Sequence, residues 1–103
     1  LAPWSIRESE CQKKNKNFGW VTRFLLLGYT QIIVAWDSNF SQIVNVIPIV
    51  GGFISVSWEG INQIWILSSV REFKLWFVRE GEAEIWFNDI LALSGSKVLE
   101  QAE

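Results

Sequence analysis

The sequence predicts a mainly β domain in which about seven strands form a curved sandwich or barrel, capped by one α-helix near the C-terminus. Two observations carry that expectation. Between Phe18 and Val78 the apolar residues come in short runs, either alternating with period two or rich in β-branched side chains, separated by Gly, Ser, Asn and Asp. From Glu80 to Leu93 the period changes, and Ala83, Trp86, Ile90 and Leu93 recur at helical spacing.

Composition sets the frame. The chain has 103 residues, of which 50% are hydrophobic and seven are tryptophan, enough for a single packed core. The expected boundaries are a folded domain over 1–95 and a polar tail or helical extension over 96–103. The chain opens on Leu1 and contains no methionine, which suggests a domain of a longer protein.

Taken in order, Trp4, Ile6 and Glu8 alternate weakly with Ser5 and Arg7 and read as a short first strand. Ser9 to Asn17 holds one apolar residue, Cys11, and reads as a loop. Phe18 to Leu27 is a strong strand, with Phe18, Trp20 and Phe24 on one face and Val21, Arg23, Leu25 and Leu27 on the other. Gly28 to Thr30 break it, and the β-branched run Gln31 to Trp36 makes its hairpin partner. Asp37 to Asn39 supply the next turn. Ile43 to Val50 is a further strand, and Pro48 within it points to a sheet edge or a bulge.

Gly51 and Gly52 form a turn before the alternating segment Phe53 to Trp58. Asn62 to Leu67 and Glu72 to Val78 complete the strands, the last with Phe73, Leu75 and Phe77 on one face. The helix then begins among three glutamates, which suit the positive end of its dipole, and ends near Ser94 and Gly95. Its apolar stripe, led by Trp86, is expected to plug an open end of the sheet.

Several function classes are excluded or disfavoured. A net charge of −2 leaves no broad cationic face for nucleic acid. With no histidine and a single cysteine, the chain can form neither an internal disulfide nor a Cys/His zinc site, and a reducing, cytoplasmic setting fits best. No cofactor or metal is expected. Glu80, Glu82, Glu84 and Asp89 lie on the helix as solvated charge and Cys11 lacks a histidine base, so no catalytic residues are assigned and the chain is read as no enzyme. The longest apolar segment, Ile43 to Trp58, contains Asn45, Pro48, Gly51 and Gly52 and is too short for a transmembrane helix. No signal peptide is evident at the N-terminus.

One stretch remains, Lys13 to Leu27, KKNKNFGWVTRFLLL. It joins a cluster of loop cations to a strand that carries a single arginine. Together with QIIVAW at Gln31 to Trp36 and EIWFNDI at Glu84 to Ile90, the segment WVTRFLLL resembles the pleckstrin homology domain across nearly the whole chain. GWVTRFLLLGYTQIIVAW is most similar to the versions that follow Dbl-homology domains in Rho guanine nucleotide exchange factors.

The resemblance implies that Trp86 occupies the family's near-invariant helix tryptophan and, with Trp20, serves structure. It also implies a candidate phosphoinositide or anion site made of Lys13, Lys14, Lys16 and Arg23. In lipid-binding members a lysine of the first loop and a basic-x-Arg-x-apolar-apolar pattern clasp an inositol phosphate. Here Arg23 is followed by Phe24, Leu25 and Leu26, but Val21 stands where the pattern has its other cation. Losing one charge-assisted contact implies weak binding of anionic phospholipid headgroups.

The expected function is therefore a non-catalytic signalling module for protein docking and weak peripheral membrane targeting. The expected location is cytoplasmic and peripheral to the membrane. The implied protein partner is a small GTPase or an adjacent catalytic domain whose Rho exchange activity it regulates. The alternative is a specific phosphoinositide-binding membrane-targeting domain. Docking is favoured by the aromatic surplus, since Trp58, Trp65 and Trp76 are more than one small core readily holds.

Overall fold

The structure, a computed structural model, describes residues 5–17, 19–50, 54–68 and 71–95. Each apolar run identified above becomes a strand because its neighbour in sequence can pair with it through a short turn. The strands are β1 (Ser5–Asn15), β2 (Gly19–Gly28), β3 (Gln31–Ala35), β4 (Ile43–Pro48), β5 (Ser55–Glu59), β6 (Gln63–Leu67) and β7 (Glu72–Trp76), followed by α1 (Glu82–Ser94).

All pairings are antiparallel, and the sheet order is β4-β3-β2-β1-β7-β6-β5. The sheet curves without closing. β4 and β5 are its two edges, which accounts for Pro48 at the end of β4, where a missing ladder donor is tolerated. The concave face holds the core: Leu25, Leu27, Ile32, Val34, Ile47, Val56, Ile64, Ile66, Phe73 and Leu75 are buried there.

One expectation needs correction. Ser9 to Asn17 is not a loop, since β1 continues to Asn15 and pairs along its length with β2. Glu8, Glu10, Gln12 and Lys14 face outward, while Cys11 and Lys13 alternate with them and are buried. Polar residues that alternate in environment leave no hydropathy signal, so the strand was invisible until β2 was placed beside it. The turn itself is short. Asn15 accepts a hydrogen bond from the Asn17 amide at 2.9 Å, and Gly19 adopts φ 75°, a conformation that a side chain would strain. The expectations for Trp4, Phe18, Gly51, Gly52, Phe53 and the 96–103 tail concern positions outside the described residues.

Helix α1 packs on β5 and β6 and buries Ala83, Trp86, Phe87 and Ile90. Trp86 is wholly inaccessible and stacks on Phe77 with ring centroids 5.8 Å apart. Its indole N–H donates to Ser9 Oγ at 2.8 Å, and the Ser9 hydroxyl in turn donates to the Glu82 carboxylate. Arg7 pairs with Asp89 at 2.7 Å, so the first half of β1 is tied to the helix at two heights. Gly95, at φ 74°, ends α1 by returning its amide to Leu91.

Candidate functional site at the open end of the sheet

α1 covers the end of the sheet where β1 begins. At the other end lie the β1–β2, β3–β4 and β6–β7 connections, and there the inner face changes from apolar to cationic. The antiparallel register explains how. Cys11 sits opposite Arg23, and Lys13 sits opposite Val21 on β2 and Leu75 on β7. Period-two alternation from the core residues Leu25 and Leu75 therefore turns Arg23 and Lys13 inward.

Both are buried, at 7% and 4% exposure. Arg23 lies under the Trp36 ring, with its guanidinium carbon 4.0 Å from the ring centroid, a geometry suited to cation–π attraction. Trp36 is held there by the turn that follows it. Its amide donates to Gln42 O at 3.0 Å, and Asp37 accepts from Ser41 Oγ at 2.6 Å and from the Gln42 amide at 3.1 Å. These hydrogen bonds hold the Asp37 carboxyl below the usual carboxylate range. One arm of Arg23 donates to Thr22 O at 2.7 Å, whereas its buried Nε has no acceptor among the described residues.

The surroundings of Lys13 are unfavourable to its charge. Burial lowers its pKa first, and repulsion from Arg71 and Arg23 adds to this. Lys13 makes no ion pair or hydrogen bond among the described residues. Arg71, from the β6–β7 connection, lies over Phe73 with its guanidinium carbon 4.7 Å from the ring centroid. Three cations thus converge on one opening with no carboxylate bound to them among the described residues, an arrangement that a polyanion would relieve.

Of the four candidate residues, the structure brings Lys13 and Arg23 together. Lys14 is on the outer face, over the Trp20 ring at 5.8 Å, and Lys16 is exposed in the turn. Trp20 is half-buried on that outer face, edge-on to Trp76 at 5.9 Å. Arg71 was not among the candidates, because it is far away in sequence and no local pattern links it to Lys13. Val21, opposite Lys13, leaves the inner wall apolar at the point where a further cation would have stood.

A groove of about 460 Å³ lies elsewhere, beside β1, and is bordered by Glu8, Glu10 and Glu82 against Arg79, an acidic balance that makes it a poor receptacle for an anion. The Cys11 thiol is buried beneath the cations, and burial followed by the nearby Glu82 charge pushes its pKa up to about 12. No group of three His, Cys, Asp or Glu side chains is placed to hold a metal among the described residues. No helix among them is long and apolar enough to cross a membrane.

Comparison with known proteins places this architecture. No protein-family model matches the sequence. No curated protein matches it either. Solved structures do match. A pleckstrin homology domain solved in solution has a TM-score of 0.73 at 18% identity, covering 92% of this chain and 89% of that one. The C-terminal PH domain of pleckstrin in complex with D-myo-Ins(1,2,3,4,5)P5 has a TM-score of 0.69 at 16% identity, covering 87% and 98%. The DH/PH domains of p115-RhoGEF have a TM-score of 0.70 at 11% identity, covering 90% of this chain and 31% of that one. The chain has the pleckstrin homology fold, as the resemblance in its sequence implied.

Proposed function

We propose that this domain is a non-catalytic signalling module that holds a multiply phosphorylated inositol headgroup at the open end of its sheet and so brings its parent protein to an anionic membrane. The observation that carries this reading is the burial of Lys13 and Arg23 side by side, with no carboxylate on them and no partner for the Arg23 Nε among the described residues. A phosphate would offset the mutual repulsion and supply the missing acceptor. The pleckstrin domain that carries D-myo-Ins(1,2,3,4,5)P5 supports the choice of ligand class. Val21 keeps the affinity modest.

The test is calorimetric titration with inositol pentakisphosphate. Weak binding is expected, lowered about tenfold or more by Arg23→Gln, the scale of losing a hydrogen bond to a charged group. Absence of binding at millimolar ligand, or affinity indifferent to Arg23→Gln and Lys13→Gln, sinks the reading.

A second reading, docking of a small GTPase or an adjacent exchange domain, is favoured by Trp36, Ile43 and Val46, which stay exposed on or beside edge strand β4. It requires that substituting Ile43 and Val46 by Ser alter nucleotide exchange by the intact parent protein. An unchanged exchange rate removes it.

A further inference from the structure

The outer face of the sheet carries its own pattern, separate from the inner cations. Gln12 pairs with Trp76 and with Thr22, so these three share the outer face, and Lys14 pairs with Trp20 on the same side. On the neighbouring strands Trp65 pairs with Lys74 and Gln63 with Trp76. The β1–β7 pairing runs through Gln12–Trp76 and Lys13–Leu75, and Lys14 and Lys74 lie one residue beyond it on the same outer face. The result is a row of two lysine–tryptophan pairs across four strands, Trp65 with Lys74 and Lys14 with Trp20, with Trp76 beside it.

The contacts bear this out. The Lys74 ammonium is 4.3 Å from the Trp65 ring centroid, the Lys14 ammonium is 5.8 Å from that of Trp20, and Trp20 meets Trp76 edge-on at 5.9 Å. The Trp65 indole N–H donates to Gln63 at 3.0 Å, which fixes its ring on the surface. Trp76 is 37% exposed and Lys14 is exposed, while Trp20, Trp65 and Lys74 are half-buried. Glu72 lies two residues before Lys74 on the same face, yet neither lysine forms an ion pair among the described residues.

We propose that this row is a second, shallow lipid contact, in which Lys14 and Lys74 receive the headgroups of an anionic bilayer and Trp20, Trp65 and Trp76 enter its interfacial zone. The occupant follows from chemistry. Tryptophan has an apolar body and a polar N–H, which suits the membrane–water boundary, and the two unpaired ammonium groups complement anionic lipid. Position supports it too. Lys13 and Lys14 are consecutive on β1, so the inner and outer cations lie at one level of the sheet, both toward the β1–β2 turn. The outer contact needs no inositol phosphate and stands apart from the inner site.

The experiment is co-sedimentation with phosphatidylcholine vesicles with and without phosphatidylserine, comparing the parent with a Lys14→Gln/Lys74→Gln variant. Phosphatidylserine-dependent binding is expected, weakened roughly fivefold per lysine removed, and tryptophan emission is expected to be quenched by lipids brominated on the acyl chain near the headgroup. Equal melting temperatures show that the variant folds. Its affinity for soluble inositol pentakisphosphate should be that of the parent. Should the parent ignore pentakisphosphate yet bind phosphatidylserine through Lys14 and Lys74, the inner-site reading fails and this one stands. Vesicle binding that the double substitution leaves unchanged overturns it. So does Lys14- and Lys74-dependent binding of an acidic peptide with none to vesicles.

Discussion

The two ends of the sheet are built from the same strands and differ in how they treat polar groups. At the helix end, the buried Trp86 N–H reaches Ser9, Ser9 reaches Glu82, and Arg7 reaches Asp89. At the open end, Lys13 and Arg23 are buried more deeply than the half-exposed Arg7 and Asp89, yet they face each other and Arg71. One end is satisfied within the chain. The other leaves its buried cations without a counter-charge among the described residues, and buried charge without a counter-charge is costly. The difference is therefore one of partners: the polar groups under the helix find theirs within the chain, and the ammonium of Lys13 finds no carboxylate among the described residues.

The largest effect should come from the helix end. Trp86→Ala removes the stacked ring between Phe77 and the sheet and leaves a cavity, for a loss of about 3–5 kcal/mol in urea unfolding. A loss below about 1 kcal/mol would mean that the helix is not the stabilising cap that its packing describes.

The open end should respond with opposite sign. Lys13→Met replaces a buried, repelled ammonium by an apolar chain of similar length and should raise the stability of the free domain by about 1–3 kcal/mol, the scale of an unsatisfied buried group. The same change should abolish thermal stabilisation by inositol pentakisphosphate. A destabilised variant would show that Lys13 has a partner within the fold.

The smallest and sharpest test is pH. Lys13 has a folded pKa below the ordinary 10.5, so as pH rises through the folded value the native state releases a proton that the unfolded chain keeps. Its contribution therefore increases stability with pH. Cys11 acts the other way: the unfolded thiol ionises from 9.0 while the folded one holds its proton to about 12, so stability falls above 9.0. Between about pH 8 and 10, the decline in urea midpoint should be steeper in Lys13→Met than in the parent and shallower in Cys11→Ala. Parallel curves would show that neither group is shifted.

Much of the architecture was legible from side-chain pattern. Ile64 and Ile66 opposed to Gln63 and Trp65, and Phe73 with Leu75 and Phe77, announce faces that the sheet then keeps. Ala83, Trp86 and Ile90 announce the buried stripe of α1. β1 beyond Ser9 was not legible, because its polar residues acquire an inside and an outside only from β2. The site divided in the same way. A cationic run next to Arg23 was visible, but Lys13 and Lys14 are neighbours in sequence and lie on opposite faces of the sheet.

The period of each segment is set by the order of its side chains, and with it which residues could share a face: Arg23 with Leu25 and Leu27, Lys74 opposite to Leu75. Which cations meet is set by the pairing of the strands. Strand register places Lys13 across from Val21 and Leu75, the β6–β7 connection returns Arg71 toward it, and the β3–β4 turn lays Trp36 over Arg23. Periodicity is a local property of the chain, whereas convergence of charge depends on pairings between strands far apart in sequence. KKNKNFGWVTRFLLL thus supplies two of the three inner cations and one of the two outer ones, and the remaining partners come from β7 and the connection that leads into it.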